Sequence, residues 1–368
     1  MAWTELLYTP QQINTAAKAL VAVFQGDDAD TPDLEGWDAY FAALPVIDNW
    51  RSAHNYPLNT FQVTLRKYAR DIDEKAIVAQ RIKRLSSIEA KLRRMPNLLL
   101  SEMQDLGGCR AVLRSIGDVH RLVAQYDRSN IKHELASRDD YIERPKRSGY
   151  RGIHLVYRYY SDKQKKIYNG LKTEIQIRSR FQHAWATAVE TVGTFVHQAL
   201  KSSVGDKAWL RFFALMGSAI ASRERAALVP GTPQDIDELL AELYDLTKSL
   251  NVENRLKSYG EALKMTSTPR QVKQAHYYLL ELNPAASELK ISGFKLNQRR
   301  QATESYFEAE KIVSANPGRD AVLVSVDSLS ALDRAYPNYF ADTRMFLMLL
   351  EQALSRRPRA ISIAPKMI

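Results

Sequence analysis

Asp105 stands in the run Asp105-Leu106-Gly107-Gly108-Cys109-Arg110, and Glu174 in Glu174-Ile175-Gln176-Ile177-Arg178. Upstream of the first lie Arg81, Lys83, Ser87, Ile88 and Lys91. Between the two acids runs Asp140-Tyr141-Ile142-Glu143-Arg144-Pro145-Lys146-Arg147-Ser148-Gly149-Tyr150, followed by His154. Two separated carboxylates amid many cations and an aromatic ring suit magnesium, phosphates and a purine. Magnesium takes carboxylate and phosphate oxygens and keeps several waters, so one or two acids suffice. In phosphoryl transfer the metal offsets charge on the leaving phosphates while cations hold the donor in line. Asp105 is therefore expected to bind magnesium, and Glu174 to share that role or to deprotonate an attacking hydroxyl. Tyr150, after the Ser148-Gly149 turn, is expected to offer its ring to a base, since stacking contributes roughly 1–3 kcal/mol per base. His154 is given a supporting role. The plain alternatives are a turn cap for Asp105, a solvent-facing strand residue for Glu174 and a sheet-edge packing role for Tyr150.

The elements that must position these groups follow from periodicity. Gln11 to Val23 reads as a helix and Asp27 to Asp33 as a polar break. Leu58 to Lys91 has helical periodicity, with Lys83, Ser87 and Lys91 on one polar stripe and Leu85, Ile88 and Leu92 on an apolar face. Cys109 to Leu113 is a strand with Asp105 at its entrance and Arg114 at its exit. Gly152 to Tyr160 and Leu171 to Ile177 alternate as strands, with Asn169-Gly170 as the turn between them. That pairing puts Glu174 and Gln176 on one face and Ile175 and Ile177 on the other. Helices are expected over Arg180 to Leu200, Lys207 to Ala227 and Pro233 to Leu263, with Pro230-Gly231 as a break. Thr266 to Pro269 marks a boundary. Beyond it come strands over Ser287 to Leu296 and Ala321 to Val326, a polar helix between them, the turn Asn316-Pro317-Gly318, and a helix over Ala341 to Leu354.

Composition narrows the class. The 368 residues are 45% hydrophobic and 26% charged, with a formal net charge of +10. These are values of a soluble globular chain with room for two or three domains. The positive balance favours a polyanionic partner. No apolar run reaches membrane-spanning length and no signal segment opens the chain, so a cytoplasmic protein without membrane contact is expected. The single cysteine, Cys109, excludes an internal disulfide. No paired-cysteine zinc pattern is present.

Taken in order, the Arg81-x-Lys83, Ser87-Ile88-x-x-Lys91, Asp105-to-Arg110, Asp140-to-Lys146, Tyr150, His154 and Glu174-to-Arg178 elements resemble the RelA/SpoT synthetase domain over roughly residues 50–200. The resemblance implies an α/β (α+β) fold, a nucleotidyltransferase-like mixed sheet with flanking helices. It also implies transfer of pyrophosphate from ATP, with Mg2+, to a 3′-hydroxyl. By it, Arg81, Lys83, Lys91 and Arg110 contact donor nucleotide and phosphates, with Ser87 and Lys146 completing the nucleotide set. Asp105 and Glu174 are the metal residues, and Glu174, Asp105 and Gln176 the catalytic ones. Tyr150 is the acceptor-base platform, with His154, Gln176 and Arg178 at the acceptor end. About eighty residues precede Arg81, so no upstream hydrolase module is expected.

The rest of the chain carries Tyr336-Pro337-Asn338-Tyr339, and its layout resembles the fused toxin–antitoxin anti-phage proteins of the CapRel type. That second resemblance implies a toxin domain at 1–200, a helical linker at 201–268 and a pseudo-zinc-finger-like antitoxin domain at 269–368. It further implies that Tyr336 and Tyr339 are autoinhibitory, occupying or bracing the donor-purine site. The acceptor would then be the tRNA 3′-end adenosine and the trigger a phage protein such as the major capsid protein. The alternative acceptor is GDP or GTP, which makes an alarmone synthetase; a catalytically silent RNA-binding regulator is the third reading.

Overall fold

The computed structural model describes residues 3–22, 34–195, 206–262, 264–267, 275–283, 285–316, 319–325, 329–340 and 342–355. The expected break at 27–33, the Pro317-Gly318 turn, Pro269 and the basic tail lie outside them. In chain order the helices are α1 (Pro10–Ala22), α2 (Leu34–Ala53), α3 (Asn55–Ile72), α4 (Leu85–Arg94), α5 (Ile116–Asp127), α6 (Arg180–Phe195), α7 (Lys207–Glu224), α8 (Ile236–Ser249), α9 (Val252–Ala262), α10 (Arg299–Ser314), α11 (Leu329–Ala335) and α12 (Arg344–Leu354). The strands are β1 (Ile77–Ile82), β2 (Gly107–Leu113), β3 (Glu134–Asp140), β4 (Ile153–Arg158), β5 (Lys172–Ser179), β6 (Lys264–Ser267), β7 (Tyr277–Asn283), β8 (Glu288–Phe294) and β9 (Asp320–Ser325).

The chain divides into two compact units that interleave in sequence. The first comprises Met1–Asp139, Ile153–Ser179 and Leu263–Tyr339; the second comprises Asp140–Gly152, Arg180–Ala262 and Phe340–Ile368. These lines differ from the expected cuts at 200 and 268. The reason lies in the sheet, whose order is β3-β4-β5-β2-β1-β9-β7-β8-β6. Strands β6 to β9 do not build a separate small domain. They continue the mixed sheet begun by β1 to β5, because β9 pairs antiparallel with β1, Arg81 opposite Val324.

Within the first unit, β1 runs antiparallel to β2 and β2 parallel to β5, with Gly108 opposite Glu174 and Arg110 opposite Gln176. Strand β5 alternates as expected: Ile175 and Ile177 are fully buried, while Glu174 and Gln176 are half-buried on the other face. Helix α3 covers β1 and β2 with Leu58, Phe61, Leu65 and Ala69, an apolar stripe at helical spacing. Each large member of that stripe contributes about 1.5–3 kcal/mol by burial. The expected helix over Leu58 to Lys91 is three elements: α3, then β1, then α4. Strand β1 lies mid-sheet with Val78, Ala79 and Gln80 all buried, so it lacks the alternation that marks a half-exposed strand. Lys83 accordingly sits at the exit of β1 rather than on the α4 stripe. Leu85, Ile88 and Leu92 do form the buried face of α4. The β4–β5 connection is longer than the Asn169-Gly170 turn: a single helical turn at Lys166–Tyr168 precedes it, and of the pair only Gly170 takes positive φ. Strand β7 carried no expectation.

The second unit is helical. Trp185, Phe212, Phe213, Leu239, Leu243 and Phe346 are among its core residues, drawn from α6, α7, α8 and α12. The expected helix over Pro233 to Leu263 is α8 and α9, broken at Asn251 with φ 49°. Gly149 is required here: at φ +95° a Cβ would lie 2.7 Å from the Phe213 carbonyl oxygen and 2.8 Å from Trp185.

Candidate active site

Three neighbouring strands, β1, β2 and β5, present side chains of one face to a single cleft in the first unit. Ala79, Arg81, Lys83, Asp105, Gly108, Cys109, Arg110, Glu174, Gln176 and Tyr336 line it. The strand period explains the set: residues 79, 81 and 83, 108 and 110, and 174 and 176 are each two apart. Gly108 faces the open cleft, where a Cβ would meet nothing within 4 Å.

Asp105, just before β2, holds two ammonium groups at once. Lys83 Nζ donates to Oδ2 at 2.8 Å and Lys91 Nζ to Oδ1 at 2.9 Å. Burial raises the Asp105 carboxyl, but Lys83 and Lys91 together hold it below its ordinary range. Burial also lowers the Lys83 ammonium, against the pull of Asp105. Across the cleft, Glu174 Oε1 lies 2.7 Å from His154 Nδ1, and Gln176 Nε2 donates to Oε2 at 2.6 Å. Arg178 in turn donates to Gln176 Oε1 at 2.8 Å. Burial opposes the Glu174 charge, yet His154, then Gln176 and Lys83, bring its pKa down to about 2. It is a fixed carboxylate at every physiological pH. The Cys109 thiol is buried and pushed well up by burial and by Glu174, so it is not a nucleophile.

Tyr336 is also part of the lining of this cleft. The Arg110 guanidinium stacks over its ring, 5.1 Å from the centroid, and donates to the Ala335 carbonyl. The Tyr336 hydroxyl donates to the Gln80 carbonyl at 3.3 Å, and the residue is 3% exposed. The remaining cavity is about 60 Å³. That exceeds the roughly 10–15 Å³ needed to hold a water.

Tyr339 has a different place. It does not line the cleft; its hydroxyl donates to Asp320 Oδ2 at 2.8 Å and accepts from Arg84 at 3.1 Å. Arg84 also pairs with Asp320. Of the two tyrosines expected at the donor-purine site, Tyr336 is among the residues that line the cleft and Tyr339 is not. Ser87 lies on α4 outside the cleft lining. Tyr150 and Lys146 belong to the second unit. Tyr150 is 5% exposed and meets Trp185 and Tyr141 edge-on, so its ring is not freely offered. Lys146 Nζ lies over the Tyr141 ring at 4.1 Å.

A second network was not legible in the sequence. Arg51, fully buried on α2, makes a two-pronged pair with Glu310 of α10 at 2.8 and 3.0 Å. Its Nε donates to the Lys83 carbonyl at 3.1 Å, and Glu310 Oε1 accepts from the Leu85 N–H at 2.9 Å. The backbone on both sides of Arg84 is thus gripped from α2 and α10. Partners 259 residues apart leave no local signal.

Among the described residues no cluster of three or more His, Cys, Asp or Glu side chains could hold a metal, and no helix is long and apolar enough to cross a membrane. Two carboxylates on one cleft still fit magnesium, which needs only one or two acids when phosphates supply other oxygens.

The family profile described as "Region found in RelA / SpoT proteins" matches residues 80–195. The GTP pyrophosphokinase YjbM of Bacillus subtilis (strain 168) is 33% identical over 129 residues, which is 34% of this chain and 59% of the relative. The chain thus spans about three fifths of the curated relative it matches. Among solved structures, small alarmone synthetase 1 from Bacillus subtilis bound to its product pppGpp is 25% identical, covering 48% of this chain and 91% of that one, with a TM-score of 0.41. A GTP pyrophosphokinase family protein from Streptococcus pneumoniae is 22% identical, covering 52% and 91%, with a TM-score of 0.38. All the lining residues except Ala79 and Tyr336 fall inside the stretch that matches the region found in RelA / SpoT proteins.

Proposed function

We propose that the cleft transfers pyrophosphate from ATP to a 3′-hydroxyl and that Tyr336 holds it closed at rest. The observation that carries this reading is the convergence of Asp105, Glu174, Arg81, Lys83 and Arg110 on one cavity beneath Tyr336. Incoming phosphates compete with Asp105 for Lys83 and Lys91, so nucleotide entry frees the Asp105 oxygens. Asp105, with Glu174 opposite, would then hold Mg2+, which supplies charge neutralisation on the phosphates. Arg81 and Arg110 align the donor. The acceptor oxygen bonds to the β-phosphorus of ATP, the bond to the α–β bridging oxygen breaks, and AMP leaves. Glu174 orients the acceptor hydroxyl and takes its proton late. A carboxylate held so low is a weak base, but a loose phosphoryl-transfer transition state depends more on orientation than on basicity.

The acceptor placed first is the 3′-end adenosine of tRNA. Lys163 and Lys166, exposed on the β4–β5 connection of the same unit, and the net charge of +10 support a polyanion of that size. The second reading, GDP or GTP, is supported by the relative named GTP pyrophosphokinase. Release of Tyr336 by a phage protein rests on the layout resemblance. Incubation of γ-labelled ATP with deacylated tRNA, GDP or GTP separates the acceptors. Label in guanine nucleotides alone would remove the tRNA reading, and no transfer by a Tyr336→Ala chain would favour a silent binder.

A further inference from the structure

A second cavity in the first unit is lined from β1, β7, β9, α2, α3 and α10. Its polar lining includes Arg51, Gln80, Arg81 and Arg299, with Tyr277 and Phe307 among its aromatic walls. None of its lining residues is an aspartate or glutamate. Arg51 is neutralised by Glu310 and Asp48, whereas Arg299 has no acidic partner among the described residues. Its guanidinium is stacked on Trp3, 3.6 Å from the ring centroid, and burial brings its pKa down to about 10. Gln80 is 8% exposed, and its buried side-chain oxygen has no hydrogen-bond partner. A largely buried cation and a stranded acceptor at one cavity are both costly features unless something fills it.

We propose that this cavity is a binding site for a hydrogen-phosphate group, held by Arg299 and capped by Gln80. The chemistry selects the ligand. Phosphate oxygens accept from the Arg299 guanidinium, while the P–OH of hydrogen phosphate donates to Gln80 Oε1. Sulfate, of similar size and charge, carries no such proton. A phosphomonoester, whose second ionisation is complete at mildly alkaline pH, carries no such proton either. The volume of about 40 Å³ exceeds the roughly 10–15 Å³ needed to hold a water, which leaves room for a small oxyanion. The position also links the two cavities, because the Gln80 carbonyl accepts the Tyr336 hydroxyl and Arg81 borders both.

The test is equilibrium dialysis of the full-length chain with labelled inorganic phosphate at mildly alkaline pH and constant ionic strength. One equivalent is expected to survive Arg110→Gln and to weaken about tenfold with Arg299→Gln, the loss of one charge-assisted hydrogen bond. Exposed Arg300, paired with Glu304, supplies the control, and Arg300→Gln should change nothing. Sulfate should compete poorly, and Gln80→Leu should abolish that discrimination; this second variant keeps the test decisive if Arg299→Gln fails to fold. Glycerol phosphate, fully ionised at this pH, should compete as poorly as sulfate, and competition on equal footing would overturn the assignment. Loss of the bound phosphate in Arg110→Gln alone, or equal competition by sulfate in the wild type and in Gln80→Leu, would overturn the assignment.

Discussion

Glu174 is held by three neighbours for one purpose, to stay ionised inside a cleft. Replacing it with Gln keeps the shape and the Gln176 contact but removes the charge. Transfer should fall by about a thousandfold or more, with circular dichroism and the melting temperature nearly unchanged. The His154 contact makes a separate prediction. With its folded pKa lowered to about 2, the contribution of Glu174 to stability is present above the unfolded value of roughly 4.3 and is lost as pH falls toward about 2. In His154→Ala, burial is left less opposed and the carboxyl titrates higher. The acid limb of the pH–rate profile should therefore move to higher pH, while an unmoved limb would show that His154 does not set the Glu174 charge. At this scale the sequence was informative: Asp105, Glu174, Gln176 and the cations of β1 and β2 meet because period-two spacing carries them to one face. The packing of Tyr150 against Trp185 was not readable, because Trp185 comes from a distant segment.

Elements decide whether those residues keep their places. Strand β1 carries Arg81 and leads into Lys83, and it is closed on one side by β2 and on the other by β9. Glu310 of α10 grips Arg51 and the Leu85 N–H, so breaking this buried pair reaches the Lys83 backbone directly. Glu310→Gln should cost about 3–5 kcal/mol, as expected when one member of a buried pair is left unmatched. Urea denaturation followed by tryptophan fluorescence would measure it. Pairing Arg51→Met with Glu310→Leu should recover part of that loss, because neither charge is then stranded. Helices α1, α4 and α7 were readable from apolar spacing. Strands β1 and β7 were not: central strands buried on both faces show no alternation, and β1 was absorbed into the helical pattern of α3.

The whole molecule is two interleaved units rather than three consecutive domains, and the segment 263–339 is built into the sheet that carries the cleft. Sequence order could not show this, since the β1–β9 pairing joins residues more than two hundred positions apart. The unit also presents the lysines of the β4–β5 connection. Reversing Lys163 and Lys166 to Glu should weaken transfer to tRNA and flatten its salt dependence, with ATP affinity nearly unchanged; equal losses in ATP binding would place them at the donor instead. The central claim, a pyrophosphokinase cleft closed by Tyr336, is met most directly by one comparison. The wild-type chain, Tyr336→Ala and Tyr336→Ala with Glu174→Gln are each incubated with γ-labelled ATP, Mg2+ and deacylated tRNA, GDP or GTP, and label in the acceptor is measured. The account predicts little transfer by the wild type, strong transfer by Tyr336→Ala and none by the double variant. A folded Tyr336→Ala chain that transfers label to no acceptor, or a wild type equally active without any trigger, would contradict it.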